Sequence, residues 1–416
     1  MLLRRLSGLW QQPDFLRFWA GQTISEFGTW LGALSLLAIL DLNATPAQMG
    51  TLETLRAAPA IVLGLFAGVW VDRLRRRPLL IAADLGRALL LGSVVLLAFM
   101  GGLRMSWLYV VAFLVGGLAV LFDVAYHAYI PALVKRQNLV EANGKLAATA
   151  SLAEIASPGL GGVLVQIITA PLTLLLDAFS FVASAAFLGL IRQPETVPAA
   201  TGEPGSVWAE IKIGLRFTLA QPTLRALMAT LATWRFFGGF YAALYSLYVL
   251  HNIGLSPALL GMIIGMGGVG SLLGAVITDR VTGRLGLGRT IIGAFLWSSV
   301  VSLSVPLAGF VSSQTTAVIM LLSSQLVGDT GLTVYMINSL SVRQAITPDE
   351  KLGRVNATYS FVTGVLGTLG IFVGGLVGQA LGVHTAMIIT AVGGITAVLW
   401  LFFSPIRKMT KLEIRD

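Results

Sequence analysis

FDVAYHAYIPALVKRQNLVEANGKLAATASLAEIASPGLGG, residues Phe122 to Gly162, places Asp123 and His127 inside a long apolar segment. A basic turn follows at Lys135 and Arg136, and a Pro/Gly cluster interrupts the next apolar segment. Ionisable groups at mid-bilayer depth are expensive and mark function by default, and proline removes a backbone hydrogen bond from a helix. A weaker copy begins at Gly328: GDTGLTVYMINSLSVRQAITPDEKLGRVNATYSFVTGVLGTLGIFVGG. Other pairs follow the same repeat. Asp72-Arg73 recurs 207 residues later as Asp279-Arg280, Asp123 recurs after 206 as Asp329, and Asn143 recurs after 213 as Asn356. Gly161-Gly162 recurs, also after 213, as Gly374-Gly375. A near-constant offset predicts two halves of parallel topology, an arrangement typical of rocking transporters with a site at the repeat interface.

Composition agrees with a membrane setting. The 416 residues are 56% hydrophobic and 11% charged, with a mean hydropathy of +0.84, against roughly 25% charged in soluble domains. Cysteine is absent, which excludes disulfides, thiolate metal sites and cysteine nucleophiles. With about 20 apolar residues needed per crossing, twelve segments qualify: 15–40, 48–71, 78–101, 107–134, 139–168, 172–191, 223–250, 258–281, 289–311, 315–342, 353–381 and 385–403. The expected fold is an all-α membrane protein with twelve transmembrane helices in two pseudo-symmetric six-helix bundles. Residues 1–192 form the first bundle, the polar, Pro/Gly-rich 193–206 a linker, and 207–416 an interfacial helix and the second bundle. Val207, Trp208, Ile211 and Leu215 fall near one face of that interfacial helix.

Charge gives orientation. All but four of the 28 Lys and Arg lie at the termini, in even-numbered loops or at their helix edges; Arg104 lies in an odd-numbered loop, and Arg56, Arg87 and Arg235 lie within helices. The positive-inside rule then predicts a multi-pass inner-membrane protein with both termini and the linker cytoplasmic. The net charge of +9 follows mostly from topology, with lipids as partners and no nucleic acid. The basic N-terminus lacks a small-residue cleavage site, so no removable signal peptide is expected.

Gly68 to Pro78, GVWVDRLRRRP, resembles the loop 2-3 signature of the major facilitator superfamily, although Arg75 stands where glycine is usual and Ala275 replaces the first glycine of the second copy. The resemblance implies a gating role for Gly68, Asp72, Arg73 and Arg76, with Asp279 and Arg280 as the second copy. Asp84 and Arg87, three apart on helix 3, are the expected partners. The carboxylate of Asp72 could instead cap a helix N-terminus, and a purely topological role for these charges is the alternative. Ser157-Pro158-Gly159-Leu160-Gly161-Gly162 is similar to the antiporter signature of the exporter branches, with serine for the first glycine. Pro158, Gly159, Gly161 and Gly162 are then expected to bend helix 5 and let it pack closely, the alternative being a plain packing kink. The patterns around Tyr129-Ile-Pro131, Asp177-Ala-Phe-Ser-Phe181 and Gly353-Arg354-Val-Asn356 look like the branch that includes macrolide efflux proteins and the enterobactin exporter.

In that superfamily helices 1, 4, 7 and 10 line the cavity, and here each carries one ionisable residue near its middle: Glu26, Asp123, Arg235 and Asp329. Asp123 is the expected proton carrier, because burial disfavours its charged form. His127 lies one turn away, and Tyr126 adjoins both. A structural Asp123 is the alternative. Arg235 is expected to neutralise Asp329 or Glu26 rather than to bind an anion, and Glu26 either contacts a cationic substrate or belongs to a structural pair. Glu53 and Arg56 are expected to pair with each other. Together with Trp30, Phe122, Phe236, Tyr241, Tyr335 and Asn338 they are the candidate substrate contacts. Asp177 reads as structural, Glu154 as a weaker group on the proton path, and His251 and His384 as exposed loop residues.

Gly265-Met-Gly267-Gly-Val-Gly270 matches a dinucleotide-binding string but lacks the strand and turn that chemistry needs, so helix packing is the expected use. No P-loop, zincin motif or nucleophile elbow occurs. The expectation is therefore no enzyme, no cofactor and no metal, with protons as coupling ion in a monomeric exporter of an amphipathic small molecule. A siderophore exporter or lysolipid flippase is the alternative.

Overall fold

The structure, a computed structural model, describes residues 8–71, 74–195 and 207–410, excluding the side chains of 65–70 and 207–210. These residues form helices and turns, with no strand among them. In chain order the helices used below are helix 1 (Pro13–Leu40), helix 2 (Pro46–Val71), helix 3 (Arg76–Phe99), helix 4 (Met105–Leu133), helix 5 (Leu139–Ile168) and helix 6 (Ala170–Gly189). An amphipathic helix, Val207–Ala220, comes next. Then follow helix 7 (Pro222–Leu247), helix 8 (Pro257–Leu285), helix 9 (Leu287–Ala308), helix 10 (Gln314–Ile346), helix 11 (Asp349–Leu381) and helix 12 (Val383–Phe402). Ten of the twelve are long and apolar enough to cross a membrane; helices 2 and 7, 26 residues each, have the length.

Three helices contain breaks that apolar runs do not announce. Helix 1 stops at Thr29 and resumes at Ala33, with Gly32 at φ +67°, a left-handed conformation that glycine adopts without a Cβ penalty. Helix 9 breaks after Val301 and helix 12 after Thr396. Helices 10 and 11 run to 33 residues each, about 50 Å at 1.5 Å per residue, well beyond a hydrocarbon core of about 30 Å. Asp349 and Glu350 occupy the first turn of helix 11, where the helix dipole favours negative charge.

The chain divides into two compact units, Met1–Ala44 with Leu55–Glu203, and Thr45–Thr54 with Pro204–Asp416. The start of helix 2 thus groups with the second unit, where Gly50 meets Gly375 of helix 11 so closely that a Cβ on either would stand 2.6 Å from the other's Cα. In the first unit Phe15, Phe18, Leu80, Phe122, Tyr129, Leu133 and Leu188 form the core. In the second, Leu227, Ile291, Phe295, Tyr335, Val355, Tyr359 and Leu401 do so. The amphipathic helix lies on helix 11: Ile211 is buried and Thr358 donates to its carbonyl at 3.3 Å.

Acidic residues tie one end of the first unit together. Glu195 accepts the Arg76 and Arg77 amides at 2.7 and 3.1 Å, capping helix 3. Arg77 in turn donates to the Leu188 and Gly189 carbonyls at the end of helix 6. Asp14 accepts the amides of Arg192 and Gln193, and Glu141 accepts that of Leu9. Glu195→Ala is expected to remove about 1 kcal/mol, the usual worth of such a cap, read as a lower unfolding midpoint of the purified protein in detergent.

Candidate functional site

The open face of the first unit is carried by helices 1 and 4. Alternate burial sets it up: Phe122, Ala125 and Tyr129 turn into the core, which leaves Asp123 and His127 outward on the opposite side of the same helix. Their side chains are 76% and 72% exposed and stand 3.9 Å apart, Nε2 to Oδ1. The burial that would make Asp123 a proton carrier is therefore not what the structure contains. An ionisable pair exposed in this way on a membrane helix suits a water-filled space. Tyr126 borders it, stacked on Phe18 at 5.5 Å and meeting the His127 ring edge-on at 5.1 Å. Glu26 hydrogen-bonds Trp30 and lies in the electrostatic field of both Asp123 and Arg87, while Trp30 is largely exposed. Glu26, Asp123, Tyr126, His127 and Trp30 are thus brought together.

Behind that face lies a charge cluster. Asp84 and Arg87 are buried and form an ion pair with each other. Asp72 and Arg73 lie outside the described residues, and Gly68 is described only as part of helix 2. The Arg87 guanidinium sits over the rings of Phe122 and Phe181, 4.4 and 4.2 Å from their centroids. Phe122 is thereby buried beneath Arg87. Asp177 on helix 6 is buried within the field of Arg87, and Asp84 Oδ2, Arg87 Nε, Ser184 Oγ and Gln22 Nε2 make no hydrogen bond among the described residues. Asp177 reads as structural in the sequence, yet Asp177, Ser180 and Ser184 recur at helical spacing along one face, a polar stripe inside an apolar helix.

The Pro/Gly segment acts by contact. Helix 5 runs unbroken through Pro158, so the expected bend is not a break. Gly161 lies against the backbone of Leu31, where helix 1 is interrupted, and a Cβ there would collide with the Leu31 carbonyl oxygen. Pro158 and Gly162 are buried, whereas Gly159 has open space beside it. The second unit repeats the device: Gly370 meets the Phe236 carbonyl and Gly374 the Phe240 Cα, so helices 7 and 11 nearly touch.

Asp329 faces Gly267 of helix 8, whose missing Cβ makes room for its carboxylate, and lies in electrostatic reach of Tyr241 and Tyr245. Those two rings stack at 4.2 Å, and the Tyr241 hydroxyl bonds Gln325 at 3.3 Å. Gly270 and Gly274 pack on the backbone of helix 10, which is the use of the glycine string. Arg235 is exposed and pairs with no acid among the described residues, its guanidinium 5.6 Å from the Trp234 ring; the expected neutralisation of Asp329 or Glu26 is absent. Phe236 packs edge-on against Phe237 and Phe240. Tyr335 is buried against Phe295 at 4.7 Å. Asn338 is also buried, accepting from Thr282 and donating to Val334. Glu53 is buried and Arg56 exposed. Asp279 and Arg280 are exposed with no ion pair among the described residues. His251 is exposed, but His384 packs on Tyr248 and Phe310, with the Tyr248 hydroxyl 3.3 Å from its Nδ1.

Helices alone among the described residues, a two-unit division and acids and bases at mid-helix positions fit the fold of the major facilitator superfamily. The fold match agrees: a bacterial homologue of the iron transporter ferroportin superposes with a TM-score of 0.75 at 18% identity, covering 95% of this chain and 99% of that one. The chain belongs to the transmembrane secretion effector family of that superfamily, which matches residues 7–415. It is 27% identical over 388 residues to the "Uncharacterized MFS-type transporter YfiS" of Bacillus subtilis, covering 91% of this chain and 90% of the relative. The "Multidrug efflux pump Tap" of Mycolicibacterium fortuitum is 26% identical over 361 residues, covering 84% and 85%. The family and these relatives are transporters, not enzymes.

Proposed function

We propose that this chain exports an amphipathic small molecule across the cell membrane by proton antiport through alternating access. The observation that carries the reading is the open acidic face of helices 1 and 4, where Glu26 and the Asp123–His127 pair border Tyr126 and the exposed Trp30. Carboxylates beside aromatic rings suit a cationic, partly apolar ligand, which gains both charge pairing and ring contact. A bound cation and a proton held nearby weaken each other's binding through the shared field, and that reciprocal coupling is the elementary event of antiport. Direction is taken from the relatives whose names speak of efflux, and the cytoplasmic placement of both termini from the basic loops. The protein needs no cofactor in this scheme and works as a monomer.

Asp123→Asn is expected to keep the fold and lose most pH-driven transport in reconstituted vesicles loaded with ethidium or a macrolide. Full pH-driven transport by the variant would remove Asp123 from the mechanism. A second reading rests on Arg235, which has no acidic partner among the described residues. An unpaired mid-membrane cation suits an anionic group, as on a siderophore or a lysolipid. Transport of such an anion in preference to the cationic dye, in the same vesicles, selects it.

A further inference from the structure

We propose that Asp177 stores the coupling proton, in the buried cluster with Arg87 and Asp84 behind the open face. The proposal rests on the antiport reading above and names the group that reading leaves open. Arg87 lies at the middle of helix 3 with an aromatic ring within 4.4 Å on Phe122 and 4.2 Å on Phe181. It donates from one terminal nitrogen to Asp84, and its Nε bonds nothing among the described residues. One carboxylate is thereby neutralised by one cation.

Asp177 is the remainder. It is buried and feels the field of Arg87, yet it forms no ion pair with it among the described residues. The Ser180 hydroxyl gives its proton to the Asp177 backbone carbonyl at 2.7 Å and stands 3.5 Å from Oδ1. Gly28 of helix 1 presses on the same carboxyl, since a Cβ there would stand 2.7 Å from Oδ1. An ionised Asp177 would be a second buried anion with neither a cation nor a short donor of its own, an arrangement proteins avoid by protonation.

The surrounding charges supply the coupling. Helix 1 contributes Glu26, which shares the field of Arg87. Helix 4 contributes Asp123 and Tyr126, which act on the cluster through Glu26. Glu154 of helix 5 is exposed, and helix 6 adds the hydroxyls of Ser180 and Ser184 beside Asp177 and Asp84. A cationic substrate bound at Glu26 takes over that residue's share of positive potential and leaves Arg87 to Asp177. Asp177 then gives its O–H proton to water at the open face and becomes a carboxylate; departure of the cation reverses the step.

Infrared spectra of the full-length protein in lipid at neutral pH, without any ligand, test the storage. A protonated-carboxyl C=O band is expected in the wild type and in Asp123→Asn, and its loss in Asp177→Asn. In vesicles, Asp177→Asn is expected to lose pH-driven accumulation of ethidium while keeping ethidium-for-ethidium exchange, which shows that it is folded and still binds. A band that survives Asp177→Asn, or pH-driven accumulation by that variant, overturns the assignment. Wild-type accumulation that ignores the pH gradient sinks the antiport reading instead, whatever the infrared band does.

Discussion

Arg87→Gln is expected to destabilise the protein by roughly 3 to 5 kcal/mol, the range for removing one partner of a buried ion pair. The variant strands Asp84, which is fully buried, and strips the cation from between Phe122 and Phe181. The fall is read in detergent as a large drop in the midpoint of thermal unfolding followed by intrinsic fluorescence or size exclusion. The double variant Asp84→Asn with Arg87→Gln is expected to recover much of the loss, because a neutral pair leaves no uncompensated charge. If the double variant is as unstable as the single one, the contribution of Arg87 is its packing between the two rings and not its charge.

Gly161→Val and Gly159→Val, two residues apart in one motif, are expected to behave oppositely. At Gly161 the new side chain lands on the backbone of Leu31, with the Leu31 Cα and carbonyl carbon each 2.8 Å from the Cβ position. Backbone cannot swing aside as a side chain can, so helices 1 and 5 must separate. The penalty is at least the 1 to 3 kcal/mol typical of overpacking, and transport is expected to fail. At Gly159 nothing lies within 4 Å, and valine should leave export and stability close to wild type. Equal loss at both positions would mean that helix 5 needs glycine for flexibility, as the bend reading has it, and not for contact.

Much of the architecture was legible in the sequence because a bilayer imposes a single dominant pattern. Runs of about 20 apolar residues mark helices without tertiary information, and the repeats from Asp72 to Asp279 and from Gly161 to Gly374 place them in two halves. What the pattern could not give is the direction in which each polar side chain points. Asp123 and Asp177 look alike in sequence, a lone acid among apolar residues, yet one is exposed and the other buried. The difference arises from which face of each helix meets its neighbours. Arg87 was visible three residues from Asp84, but its aromatic partners come from helices 4 and 6, 35 and 94 positions away. Glu195 capping helix 3 was hidden for the same reason, since the capping carboxylate comes from a linker remote in sequence. Tyr335 and Asn338, read as cavity residues, prove to be core, because a helix that lines a cavity also has a face that does not.

Proton release on substrate binding tests the central claim most directly. Purified protein in a weakly buffered solution near neutral pH, titrated with ethidium or a macrolide, should acidify the medium as the ligand binds, with up to about one proton displaced per protein, as reciprocal coupling between cation and proton binding requires. Saturable binding with no change in the pH of the medium would contradict the account.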